Sequence, residues 1–294
     1  MLLDLETWVA GGRLIELAGH KIFCRQDGPD DGPVVTLLHG YPTSSHDWAA
    51  IVPSLVESGH RVVTLDLLGF GASAKPRRHT YRIAEQADIV EALWSELNVS
   101  ETALVAHDYS VSVAQELLHR APISITAMAW LNGGVYVDLY RPLLIQRLLH
   151  GPLGGLLSRF TSQRAFMFNM RRILGREVDE ADLQAMWAGM NANDGKAVQH
   201  DLLRYIDERA ANATRWEQAL EEYSGPTAFI WGPADPVSGG HVLERLRERN
   251  PDAQFTILDT VPVVGHYPHV EDPEGVAFAL ARLFEHDQQP GLAT

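Results

Sequence analysis

The sequence predicts an α/β protein, a mostly parallel central sheet flanked by helices and interrupted by one all-helical insertion. Three observations predict it. Short runs that are apolar throughout alternate with amphipathic, helix-period runs over residues 34–131 and again over 227–284. Residues 135–223 between them contain no strand-like run. Reactive side chains recur just after the apolar runs, at His39, Asp66, Asp108, Asp235 and His266. Strands apolar at every position are buried on both faces, which with intervening helices means a covered parallel sheet. The ligand crevice of such a sheet lies outside the carboxyl ends of its strands. The boundaries that follow are 1–134 with 224–294 for the sheet domain and 135–223 for a helical cap.

Residues 13–25 alternate around Ala18-Gly19-His20, the pattern of an antiparallel hairpin, and GPDDGP at 28–33 is a turn. Residues 34–38 form the first buried strand. A helix over 44–58 carries Trp48, Ile51, Val52, Leu55 and Val56 on one face and stops at Gly59. Residues 62–65 are the next strand, and 81–98 a helix with Ile83, Ala87, Val90, Trp94 and Leu97 inward. A strand at 102–106 breaks off at His107-Asp108-Tyr109-Ser110, and the helix that follows ends at Pro122. Residues 127–131 are a strand closed by Asn132-Gly133-Gly134. The insertion reads as helices at 141–150, 156–174, 180–188 and 196–209. Strands at 227–231 and 255–258, helices at 241–249 and 273–284, and a frayed end at Gln288–Thr294 complete the chain.

Composition narrows the function classes. At 294 residues the chain buries about three quarters of its unfolded surface. A net charge of −14 offers no overall attraction to nucleic acid or to an anionic membrane, so neither is an expected partner. The single cysteine, Cys24, excludes an internal disulfide framework and fits a buried thiol in a reducing compartment. The first residues, MLLDLETWVAGG, lack the basic region of a signal peptide, and no apolar run approaches the roughly 20 residues of a membrane span. A cytoplasmic location is expected. The thirteen histidines include no ligand-spaced cluster, so no metal is expected.

The turn after the strand at 102–106 has the form of a nucleophile elbow: strand, sharp turn, helix, with small residues two before (Ala106) and two after (Ser110) the apex. A carboxylate, Asp108, stands at the apex where a hydroxyl is usual. Being ionised at neutral pH, it attacks an sp³ carbon without a base and leaves an alkyl ester that water must hydrolyse. The bland alternative is an Asp capping the next helix. Ser110 as the nucleophile of an ordinary esterase would put Asp108, not a small residue, two positions before it. Asp108, Asp235 and His266 follow one another in the chain order of nucleophile, acid and histidine.

With these residues in place, the chain resembles the α/β-hydrolases with an aspartate nucleophile, the epoxide hydrolase and haloalkane dehalogenase group. HGYPTSSHDW, LDLLGFGASAKP, EQADIVEAL, HDYSVSVAQELL, RPLLIQRLL, MWAGMNANDG, YIDER, GPADPV and HYPHVEDP look like its mesoderm-specific transcript branch. The likeness runs over about residues 30–285. It implies the α/β-hydrolase fold with a cap and cofactor-free hydrolysis of an epoxide by water. Asp108 would be the nucleophile, His266 the base that activates water, and Asp235 the partner that holds its tautomer. The backbone N–H groups of Tyr41 and Tyr109 would form the oxyanion hole. Epoxide opening leaves an alkoxide, which cap tyrosines protonate in this group; Tyr205 is the first candidate and Tyr136 and Tyr140 follow. His39, Trp48, Tyr136 and Tyr140 are expected around the substrate pocket. Haloalkane dehalogenases place a tryptophan directly after the nucleophile and often an Asn after the His-Gly, where this chain has Tyr109 and Tyr41. Fluoroacetate dehalogenases carry arginines near the elbow, where it has Tyr109, Ser110 and Ser112. Dehalogenation, or a non-catalytic binding protein on the same fold, are the alternatives, and a homodimer is left open.

Overall fold

The computed structural model describes residues 3–287; the chain end expected to be frayed lies outside them. Eight strands build one sheet: β1 (Arg13–Leu17), β2 (His20–Asp27), β3 (Val34–Leu38), β4 (Arg61–Leu65), β5 (Glu101–His107), β6 (Ser124–Leu131), β7 (Thr227–Trp231) and β8 (Gln254–Ile257). Their order across the sheet is β1-β2-β4-β3-β5-β6-β7-β8. β2 pairs antiparallel with β1 and β4, and all other neighbours are parallel. The elbow strand β5 is therefore central, between β3 and β6.

Alternate residues of the apolar strands feed two separate cores. Leu104 and Ala106 of β5, Met128 and Trp130 of β6 and Phe229 and Trp231 of β7 face one core, with side chains of the helices Ile83–Glu96 and Tyr109–Arg120. Ala103 and Val105, Ala127 and Ala129, and Ala228 and Ile230 face the other, with Val276, Leu280 and Leu283 of the C-terminal helix Pro273–Asp287. Period-two alternation over uniformly apolar strands is what coverage of both faces requires. Cys24 is buried on β2.

Several expected helices are broken, each for a local reason. The span 44–58 is a 3-10 turn, Ser45–Trp48, and a helix, Val52–Glu57, with Pro53 in its first turn. The span 156–174 divides into Gly154–Arg159 and Gln163–Arg171, the second capped by Ser162, which accepts the Ala165 N–H. At 196–209, positive φ at Asn193 and Asp194 marks a kink, a short helix Gln199–Leu202 follows, and a new helix runs from Tyr205 to Glu221. An unforeseen N-terminal helix, Leu5–Ala10, is capped by Asp4 and buries Trp8 beneath the guanidinium of Arg25. Between β6 and β7 the described residues form helices and turns only. Helix Tyr205–Glu221 is tied to helix Tyr109–Arg120 through the buried Glu116, which accepts from Trp216 Nε1 at 2.6 Å and pairs with Arg215 and Arg120. Among the described residues, no helix is long and apolar enough to cross a membrane.

Candidate active site

Strand β5 ends at His107 and the next helix begins at Tyr109, so Asp108 alone makes the turn. Its φ of 48° and ψ of −106° are a strained backbone conformation for a residue with a side chain. The surroundings hold it there. The Asp108 N–H donates to the Asn132 carbonyl at 3.0 Å, and Ser110 Oγ donates to the His39 carbonyl. A Cβ on Gly40 would lie 2.9 Å from Asp108 Cβ, and one on Gly133 would lie 3.1 Å from its Cα, so both loops need glycine to approach. Ser110 thus pins the elbow to the loop after β3.

Asp108 is buried and faces His266, whose Nε2 lies 3.6 Å from Oδ1. The other oxygen, Oδ2, accepts the Tyr41 N–H at 3.0 Å. The resting carboxylate therefore occupies one expected oxyanion donor, and the Tyr109 N–H opens the helix beside it. His266 Nδ1 donates to Asp235 Oδ2 at 2.7 Å, which leaves Nε2 turned to the nucleophile. Asp235 is held by Ser238 Oγ at 2.8 Å, Asn132 Nδ2 at 3.1 Å and the Val237 N–H at 2.7 Å. The loop that carries His266 closes around Glu271, whose carboxylate accepts N–H bonds from Gly175, Arg176, Gly265 and Tyr267. His107 has a structural role, donating from Nε2 to the His266 carbonyl at 2.8 Å.

Charge organises the trio. Burial raises the Asp108 carboxyl above the usual range, opposed by His266, the Tyr41 N–H and Arg209. Burial likewise raises Asp235, but the charge and hydrogen bond of His266 outweigh it and leave the group below its ordinary value. For His266 burial pulls down, and Asp235 and Asp108 together lift the imidazole to about 9. At neutral pH His266 is thus an imidazolium, hydrogen-bonded to Asp235 and facing Asp108.

The sequence-expected pocket is only partly assembled. A cavity is lined by Tyr41 and His266 and otherwise mainly by apolar insertion side chains such as Leu143, Leu149, Phe166 and Met170. His39, Trp48, Tyr136 and Tyr140 do not line it, which corrects the expectation for all four. His39 is buried behind the loop, its Nδ1 donating to the Gly40 carbonyl and its Nε2 accepting the Leu67 N–H. Trp48 stacks on His269 at 4.1 Å, in the core shared with the C-terminal helix. Tyr136 is buried, with its hydroxyl bonded to Glu221 and Arg245 over its ring. Tyr140 lies off the cavity wall but beside Tyr205. The guanidinium of Arg209 sits 4.9 Å from the centre of each ring.

Tyr205 is fully buried against Tyr109, with ring centres 4.8 Å apart, and it too lies off the cavity wall. The oxygens of Tyr140 and Tyr205 have no hydrogen-bond partner of good geometry. Burial, and then each other's proximity and the charge of Asp108, raise the Tyr205 phenol; burial raises Tyr140 to about 12 although Arg209 opposes it.

Arg209 was missed from sequence. It is buried, its Nε donates to Ser112 Oγ at 3.3 Å on the elbow helix, and both terminal nitrogens are unpaired. A Cβ on Gly134 would fall 1.9 Å from Nη1, so the glycine makes room for it. Its position four residues after Tyr205, on the same helical face, was the available signal. Asn132, Ser238 and Glu271 also act at the site without having been singled out. His20, His79 and Glu85 bring ligand-type atoms within 4.8 Å of one another, from segments whose separation hides the grouping in sequence. His79 Nε2 is hydrogen-bonded to Glu85 at 2.7 Å.

Comparison with known proteins agrees with this geometry. A family model described as "alpha/beta hydrolase fold" matches residues 33–273. The chain is 41% identical over 286 residues to the mesoderm-specific transcript homolog protein of Bos taurus, covering 92% of this chain and 85% of that one. It is 38% identical over 287 residues to LipZ of Mycobacterium tuberculosis, covering 95% and 98%. In three dimensions it is similar to haloalkane dehalogenase DbeA from Bradyrhizobium elkanii, with a TM-score of 0.80, 22% identity and coverage of 94% and 98%. The chain belongs to the α/β-hydrolase family.

Proposed function

We propose that this protein is a cofactor-independent hydrolase that opens an epoxide to a vicinal diol, with the helical segment 135–223 acting as its cap. The observation that carries the reading is a carboxylate at the strained apex of the elbow, 3.6 Å from an imidazole that a second carboxylate orients. Asp108 attacks an epoxide carbon. The C–O bond breaks, its electron pair stays on oxygen, and a proton from Tyr205 or Tyr140 converts the alkoxide to a hydroxyl. Esterification removes the negative charge of Asp108 that helped to hold the proton on His266, so the imidazolium becomes a stronger acid, gives its proton to the phenolate and is left as a neutral base. It takes a proton from water, whose oxygen adds to the ester carbonyl while the developing oxyanion is received by the N–H groups of Tyr41 and Tyr109. Collapse expels the second alkoxide, which takes the proton back from His266. The regenerated carboxyl passes its proton to His266, which restores the nucleophile and the imidazolium and closes the cycle.

Halide release is the second reading. It is opposed by Tyr109, whose ring is packed between Phe70 and Tyr205 and offers no indole N–H to a halide. The test is a panel of epoxides and haloalkanes assayed for diol and halide with wild type, Asp108→Asn, Tyr205→Phe and Tyr140→Phe. Diol from wild type is expected, none from Asp108→Asn, and a loss of about 10- to 100-fold for each tyrosine variant. Halide without diol would replace this reading with the second, and neither product would favour a binding protein on the hydrolase fold.

A further inference from the structure

Residues 141–176 contain seven arginines and no aspartate or glutamate, in a chain whose net charge is −14. The acidic whole therefore conceals a cationic segment, which lies on the helices Leu144–His150, Gly154–Arg159 and Gln163–Arg171. Arg141, Arg147, Arg159 and Arg164 are exposed, and none of the four forms an ion pair among the described residues. The same helices turn large apolar side chains outward: Leu144, Leu153 and Phe160 are 73%, 66% and 79% exposed. Leu148, Leu156 and Leu157 are exposed beside them. The first and third helices share this surface, since Leu144, Leu148, Asn169 and Arg172 border one shallow hollow. A helix in a soluble protein turns its apolar stripe inward. Exposed apolar side chains mixed with cations are the composition of a surface that lies in a membrane interface.

The inner side of the segment lines the active-site cavity, through Leu149, Phe166 and Met170 among others. The apolar outer surface and the route to His266 thus belong to the same three helices. A second copy of the chain is a poor occupant, because a symmetric contact would set the four arginines that form no ion pair among the described residues against themselves. An anionic bilayer matches both features. The negative remainder of the protein does not forbid it, since charges further than about 8 Å are screened at physiological ionic strength.

We propose that the face formed by residues 141–172 docks on an anionic lipid bilayer, with its arginines at the headgroups and its leucines and Phe160 in the interface, so that the active-site cavity opens against the membrane. The test is co-sedimentation with vesicles of phosphatidylcholine alone or with about a quarter phosphatidylglycerol. The protein should pellet with the anionic vesicles and not with the neutral ones. The bound fraction should fall by about tenfold or more as salt rises from roughly 0.1 to 0.5 M. Arg147→Glu/Arg159→Glu and Leu153→Ser/Phe160→Ser should each remove binding with circular dichroism unchanged, since all four residues are exposed. The wild-type salt dependence stands as the measurement that needs no variant. Failure of wild type to pellet with anionic vesicles, or equal pelleting with neutral ones, would overturn the proposal. So would a dimer in sedimentation velocity that dissociates in Leu153→Ser/Phe160→Ser, because the occupant would then be a second copy.

Discussion

A carboxylate nucleophile comes with a burden that a hydroxyl lacks, because it must stay charged inside the protein. Burial pushes Asp108 towards the neutral acid, and three groups oppose this: His266, the Tyr41 N–H and Arg209. The first two were legible in the sequence, because each follows a strand of a parallel sheet and has nowhere to go but the crevice. Arg209 was not, because its helix follows a kink at Asn193–Asp194 that helical periodicity cannot locate. The same limit explains Trp48 and Tyr136: a helical face is visible in sequence, whereas the neighbour it packs on is not. The guanidinium lies over both candidate phenols, so it favours the negative charge left when either gives up its proton. Arg209→Met is expected to lower kcat on epoxide by about 10- to 100-fold with little change in KM, and Arg209→Lys to recover part of the loss. Steady-state kinetics of the three proteins check this, and an unchanged kcat in Arg209→Met would remove the cation from the account.

At the scale of elements, strands were easier to foresee than helices. Uniformly apolar runs have one explanation, burial on both faces, and all the expected strands are present with their ends shifted by a few residues. The insertion lacks a sheet to fix its register, so its breaks depend on single residues such as Ser162 and Asn193. Loops are set by polar clamps the pattern does not show. Glu271 reads as a residue near a helix cap, yet it gathers four N–H groups from the 175–176 and 265–267 loops and so fixes the loop bearing His266. Glu271→Gln replaces an acceptor with a donor facing donors. Urea unfolding should show a loss of about 2–4 kcal/mol, and a midpoint equal to wild type would mean that the clamp is dispensable.

Across the whole molecule, the catalytic ion pairs also tie stability to pH. His266 stands at about 9 in the folded protein against an ordinary 6.5. Its contribution is fully present below the ordinary value and is lost as pH rises through the folded one. The stability advantage of wild type over His266→Gln should therefore shrink between about pH 6.5 and 9, as read from urea midpoints of both proteins at several pH values. A constant gap would mean that the imidazole is not charged in the resting site. The central claim is that Asp108 becomes covalently esterified, and trapping the ester tests it most directly. His266→Ala protein mixed with an epoxide that wild type hydrolyses is predicted to gain the mass of one substrate, located by peptide mass spectrometry on Asp108. Rapid loss of that epoxide with no mass gain on the Asp108 peptide would contradict the account.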